Sequence, residues 1–136
     1  MNKTIIITGA SRGIGKETVI ELSKNKSHKI YALSRDINKM TQAFNHLPNV
    51  NSIAFDLNEN IEKQLKGIIE KEESIDILIN NAGLLINKAF NKLTNEDLLL
   101  SYQVNVFGVI QIIQQCYPKF NKSSHIVNIS SIGGYQ

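Results

Sequence analysis

Residues Thr4–Thr8 read TIIIT and pass straight into GASRGIG, after which apolar residues recur at helical spacing. This β-branched run, glycine-rich turn and amphipathic stretch constrain the fold more than any other feature. Isoleucines without polar alternation suit a strand buried on both faces. Such a strand needs helices above and below it, and its parallel neighbours need crossover connections. The unit then repeats. KIYAL (Lys29–Leu33), SIAF (Ser52–Phe55), IDILI (Ile75–Ile79) and HIVNI (His125–Ile129) read as four further strands. Between them, INKMTQAFNHL predicts a short helix stopped before Pro48. Ile61, Leu65, Ile68 and Ile69 share one helical face. A long helix is expected from a cap at Thr94, with Asp97 at the capping-box distance, to about Tyr117. In the first helix, Ile14, Val19 and Leu22 are expected to point one way. Right-handed crossovers then give an α/β fold, an open doubly wound parallel sheet with strand order 3-2-1-4-5.

The 136 residues suit one domain, spanning 1–136. Fifteen Lys and Arg stand against twelve Asp and Glu, a net +3 spread along the chain. With no basic stripe or aromatic platform, no nucleic-acid partner is expected. The single cysteine, Cys116, excludes an internal disulfide and suits a cytoplasmic location. The N-terminal apolar run is too short for a signal-peptide core. The stretch VNVFGVIQII is interrupted by Asn105 and Gln111 and is too short for a bilayer, so no membrane partner is expected. His28, His46 and His125 have no metal-ligand spacing with Cys116, and no metal is expected.

TGASRGIG sets Gly9, Gly13 and Gly15 at the spacing G-x-x-x-G-x-G, with Ser11, Arg12 and Ile14 between them. Glycine allows a tight turn and a close approach of backbone to a pyrophosphate. The helix that follows offers free N–H groups and a positive dipole end. A glycine triplet alone is a weak signal; the preceding strand and following helix supply its context. Further on, in order, come Asp56 and Leu57 in AFDLN, Asn81, Ala82 and Gly83 in NNAG, Asn105 in NVFG, and Ser131 in VNISS. Taken singly each has a plain account. Asp56 is a solvated or capping carboxylate, Asn81 and Gly83 are turn formers, and Ser130 and Ser131 end a strand. Asn105 is the odd one, because asparagine competes with the backbone inside a helix.

Together, and in this order, the motifs resemble the classical short-chain dehydrogenase/reductase family, whose glycine motif is T-G-x-x-x-G-x-G. The resemblance covers the first half or so of a typical member. It implies a Rossmann-type NAD(P)-binding domain lacking the usual C-terminal strands, with strand five at an exposed edge. It implies an oxidoreductase that moves a hydride between a nicotinamide and a small carbonyl or alcohol substrate. Gly9, Ser11, Arg12, Gly13, Ile14, Gly15, Arg35, Asp56, Leu57, Asn81, Ala82 and Gly83 are then expected at the cofactor. Asn105 and Ser131 are expected in catalysis, Ser131 polarising the carbonyl and Asn105 anchoring a water in a proton relay. Family members are commonly oligomers. A homo-oligomer is expected of the whole protein, with Phe107, Ile110 and Ile113 either at its interface or packed on the sheet.

The second strand ends YALSRD. An acid there would bind the ribose hydroxyls of NAD, and a cation the 2′-phosphate of NADP. Ser34 stands where the NAD-selective acid is expected, Arg35 follows it, and Arg12 supplies a second guanidinium suited to phosphate. These favour NADP over NAD, with Asp36 as the dissenting residue. The family's catalytic tyrosine lies roughly a dozen residues beyond the serine, with a lysine four residues further on. Tyr135 comes four after Ser131, behind Gly133 and Gly134, and reads as a loop residue. The chain is therefore expected to be an N-terminal piece, truncated before Tyr-x-x-x-Lys and inactive by itself. The alternative is a catalytically inert dinucleotide-binding or partner-dependent module.

Overall fold

The computed structural model describes residues 2–131. Five strands form one sheet: β1 (Thr4–Thr8), β2 (Lys29–Ser34), β3 (Val50–Ala54), β4 (Ile75–Asn80) and β5 (Phe120–Asn128). Their order is β3-β2-β1-β4-β5 and every pairing is parallel. Helices α1 (Gly13–Ser23), α2 (Ile37–Phe44), α3 (Ile61–Lys71), α4 (Asn95–Tyr102) and α5 (Gly108–Cys116) make the crossovers.

The isoleucine run explains the layering. Side chains alternate across a strand, so Ile5 and Ile7 pack with Val19, Ile30, Met40 and Phe44 on the α1–α2 side. Ile6 packs with Tyr31, Leu33, Leu65, Ile68, Leu78 and Ile112 on the α3–α5 side. Both faces of β1 are buried, as a central parallel strand requires.

Capping residues set the helix starts. Asp36 accepts from Lys39 N at 3.0 Å ahead of α2, and Asn60 from Lys63 N at 2.8 Å ahead of α3. Thr94 and Asp97 form the expected capping box ahead of α4. Arg12, the N-cap of α1, makes no side-chain cap bond.

Several boundaries differ from expectation. The short helix ends at Phe44, four residues before Pro48, where a turn from Leu47 N to Phe44 O takes over. β5 begins at Phe120, pairs with Ile75, and shifts register before His125 meets Ile77. The long helix is interrupted by a π-helical turn at Gln103–Phe107, between α4 and α5. In α1, Val19 is buried as expected but Ile14 is 64% exposed, because it sits in the first turn beyond the sheet edge. β5 is an edge strand of the described sheet, with Ile126 and Val127 exposed. In α5 and the π turn, Ile113 packs on the sheet while Phe107 and Ile110 are exposed.

At the N-terminal ends of the strands, the Glu72 carboxylate accepts from Lys29 Nζ, Tyr31 Oη and Thr4 Oγ1. Burial pushes the Glu72 pKa up, but the hydrogen bonds from Lys29 and Tyr31 together outweigh it and hold the carboxyl below its ordinary value. Tyr31 is raised by burial and then by Glu72; Lys29 is raised chiefly by its bond to Glu72. This cluster ties the start of β2 and of β1 to the end of α3.

Candidate functional site

At the other end of the sheet, the segments leaving β1, β2, β3 and β4 surround one crevice of about 580 Å³. That volume lies in the range of small-molecule and cofactor sites. Its floor is the glycine turn. Gly9 and Gly13 have φ of +68° and +54°, the left-handed region that favours glycine. Gly15 does not line the crevice. It lies beneath, where a Cβ would stand 2.4 Å from Gly9 O and 2.5 Å from Asn81 Nδ2.

The NNAG segment is stitched to this floor. Thr8 Oγ1 accepts from Asn81 N at 3.1 Å and from Ala82 N at 3.0 Å. Asn81 Nδ2 donates to Thr8 O at 3.1 Å and to Gly9 O at 3.2 Å. One asparagine thus fixes the ends of β1 and β4 at the spacing that opens the crevice between them, the usual ligand position in such sheets.

Three features make the floor fit an anionic dinucleotide. The turn is too close-packed for side chains at Gly9 and Gly15. The N-terminus of α1 has no side-chain cap, unlike α2, α3 and α4, and no acid in its first turn. Arg12, Gly13 and Ile14 there line the crevice. Uncapped N–H groups with a positive dipole end suit a pyrophosphate.

The β2 rim carries Ser34 and Arg35, beside Ser11 and Arg12 of the turn. Ser34 Oγ donates to Ser11 Oγ at 2.9 Å. Asp36 is absent from this rim. Its carboxylate caps α2 and pairs with Lys39 Nζ at 3.1 Å. The bond from Lys39 N, followed by the Lys39 ammonium, holds its pKa below the ordinary carboxylate value.

One wall follows β3: Phe55, Asp56, Leu57 and Asn58. Asp56 N donates to Gln64 Oε1 at 2.7 Å, Gln64 Nε2 returns a bond to Asp56 O at 2.9 Å, and Asp56 Oδ1 accepts from Asn58 N at 2.9 Å. The opposite wall is Asn81, Ala82, Gly83 and Leu84, backed by Leu100 and Val104.

Asn105 and Ser131 do not line the crevice. Asn105 Oδ1 accepts from Leu84 N at 2.8 Å, and its Nδ2 donates to Leu84 O at 2.9 Å and Ser101 Oγ at 3.3 Å. It therefore fixes the wall after NNAG. Ser131 is exposed just past β5, at the same end of the sheet. Asn80 holds that strand end in place, its carbonyl accepting from Ile129 N at 2.9 Å and its Nδ2 donating to Asn128 Oδ1 at 2.8 Å. Gly133, Gly134 and Tyr135 lie outside the described residues.

Sequence reasoning missed Phe55, Asn58, Leu84, Leu100 and Val104 as lining residues, since apolar and small polar residues carry no motif. Cys116 is buried, and burial pushes its thiol up to about 12, so it is no nucleophile. Among the described residues no group of three or more His, Cys, Asp or Glu is placed to hold a metal ion. No helix among them is long and apolar enough to cross a membrane.

The profile of the short chain dehydrogenase family matches residues 3–136. The chain belongs to that family. It is 34% identical over 134 residues to the 3-ketodihydrosphingosine reductase of Bacteroides thetaiotaomicron, covering 96% of this chain and 47% of that protein. It is 35% identical over 133 residues to the probable short-chain type dehydrogenase/reductase VdlC of Helicobacter pylori, covering 95% of this chain and 48% of that one. The chain thus spans about half the length of these curated relatives. Among solved structures, the KRED1-Pglu enzyme superposes with a TM-score of 0.88 at 26% identity, over 98% of this chain and 58% of that one. The NADPH-bound carbonyl reductase from chicken fatty liver shares the fold, with a TM-score of 0.86 at 24% identity, over 97% of this chain and 60% of that one. The chain thus has the short-chain dehydrogenase fold, with its C-terminal strand ends placed around the crevice.

Proposed function

We propose that this chain is the cofactor-binding part of an NADP(H)-dependent reductase or dehydrogenase, working on a small carbonyl or alcohol substrate in the cytoplasm. The observation that carries the reading is the β2 rim. Arg12 and Arg35 stand with Ser11 and Ser34 in the crevice lining, and Asp36 is spent on capping α2. Two guanidinium groups and two hydroxyls suit a 2′-phosphate, and no carboxylate of this rim competes for ribose hydroxyls. NADPH, when bound, would supply the hydride.

The chain's own residues hold and orient. Gly9, Gly13 and the first turn of α1 take the pyrophosphate. Asp56 and Leu57 flank the adenine. Asn81, Ala82 and Gly83 form the wall towards the nicotinamide, and Gly15 and Asn81 keep the floor rigid. Ser131 polarises the substrate carbonyl through its hydroxyl. Asn105 holds the Leu84 wall and supports the water of the relay. The tyrosine that delivers the proton, and the lysine that depresses its pKa by charge, are assigned to the half of the whole protein that this chain does not span. By this account residues 1–136 bind cofactor and are inactive alone. The exposed Phe107 and Ile110 are assigned to an interface between copies of the whole protein.

The test is the whole gene product, offered NADPH and a panel of aldehydes and ketones. Oxidation of NADPH that disappears in Ser131→Ala is the expected result. No turnover on any carbonyl, with the cofactor bound, would reduce the chain to a binding module.

A further inference from the structure

The π turn at Gln103–Phe107 touches both walls of the crevice. Val104, its second residue, lines the crevice itself. Its chain neighbours on a helix point roughly 100° to either side, so Gln103 and Asn105 flank Val104 and reach in opposite directions. Gln103 Nε2 donates to Leu57 O at 3.2 Å, in the wall after β3. Asn105 closes a two-way pair with the backbone of Leu84, at 2.8 and 2.9 Å, in the wall after β4.

The backbone is shaped for this double contact. Gly108 N bonds to Gln103 O, the wide turn that gives the π segment its extra residue. At Gly108 a Cβ would stand 2.9 Å from Leu57 Cδ2 and 3.0 Å from Gln103 O. A larger residue here would have to push against Leu57 and the turn's own carbonyl, so glycine favours the close approach that lets Gln103 reach the Leu57 carbonyl. π turns of this kind concentrate at functional sites.

We propose that Gln103 is a positioning residue for the cofactor, and that the π turn is a bracket whose two amides set the separation of the crevice walls. Asn105 holds one wall and Gln103 the other. The inference rests on the dinucleotide reading above, and it adds a residue outside the crevice lining to the binding machinery. Gln103 acts through Leu57 and touches no ligand.

The test uses the 136-residue chain and Gln103→Met, which keeps the side-chain length and removes the donor. Gln103 is only half-buried, so the variant is expected to fold. Backbone amide hydrogen exchange is followed at Asn58 and Glu59, whose N–H groups bond within the β3 wall, and at Leu84 in the other wall. Exchange at Asn58 and Glu59 is expected to rise about 3- to 10-fold, the equivalent of one neutral hydrogen bond, with Leu84 unchanged. Affinity for 2′,5′-ADP should fall by a similar factor. Asn105→Ala should speed Leu84 and leave Asn58 unchanged.

Unchanged exchange at Asn58 and Glu59, or an equal rise at both walls, would overturn the bracket. A wild-type chain that binds neither NADPH nor 2′,5′-ADP would instead overturn the dinucleotide reading on which it rests.

Discussion

Gly13 and Gly15 stand two residues apart in the same turn, and the structure assigns them opposite burdens. At Gly15 an added Cβ meets the Gly9 carbonyl oxygen and the Asn81 amide nitrogen at 2.4 and 2.5 Å. Backbone on one side and a twice-bonded amide on the other leave it no room. Gly15→Ala should therefore cost about 1–3 kcal/mol of overpacking. Displacing Asn81 would add the loss of its bonds to Thr8 O and Gly9 O, about 1 kcal/mol each. The sum, about 3–5 kcal/mol, is a large share of a domain's stability. At Gly13 an added Cβ meets nothing within 4 Å, and only the φ of +54° is strained. Gly13→Ala should cost about 1 kcal/mol, part of it offset by the stiffer unfolded chain. Its Cβ would, however, stand in the crevice lining, where a pyrophosphate must come close to backbone. Urea unfolding should rank Gly15→Ala far below Gly13→Ala, with equal slopes. An NADPH titration should show Gly13→Ala weakened about tenfold or more while still folded. Equal unfolding midpoints, or a Gly13→Ala variant that binds as wild type, would refute the reasoning.

Thr8→Val keeps the shape of the side chain but leaves the Asn81 and Ala82 amides without their acceptor; a loss of about 2 kcal/mol is expected in urea unfolding. The Glu72 cluster predicts a pH profile. The Glu72 pKa is lowered in the fold, so its contribution is present above the unfolded carboxyl value of about 4.3 and fades as pH falls through the lower folded value. Those of Lys29 and Tyr31 are raised, so their contribution is present below about pH 10 and fades above it. Glu72→Gln should flatten the acid limb of a melting-temperature profile; an unchanged acid limb would show that other carboxylates set it. Arg35→Asp should weaken NADPH about tenfold more than NADH, and equal losses would count against the rim assignment.

The strand order and both core layers are legible because the isoleucine runs and crossover helices leave few alternatives. The Thr94 and Asp97 capping box is equally readable, being a local device written in four residues. The π turn is not, because YQVNVFGV keeps an ordinary helical rhythm and the extra residue is absorbed by packing against Leu57. Ile14 departs from its helical pattern for a related reason. Periodicity marks a face, but the first turn of α1 projects past the sheet, where that face meets the crevice. Glu72 reads as one charge in KEESID, and its partners Lys29 and Tyr31 lie on another strand. The sequence admits two uses of Asp36, and its capping bond to Lys39 N shows which one the fold adopts.

The most direct measurement is a calorimetric titration of the 136-residue chain with NADPH and with NADH under the same salt conditions. Saturable one-to-one binding of both is expected, with NADPH at least about tenfold tighter. No binding of either nucleotide, or tighter binding of NADH, would contradict the NADP(H) assignment.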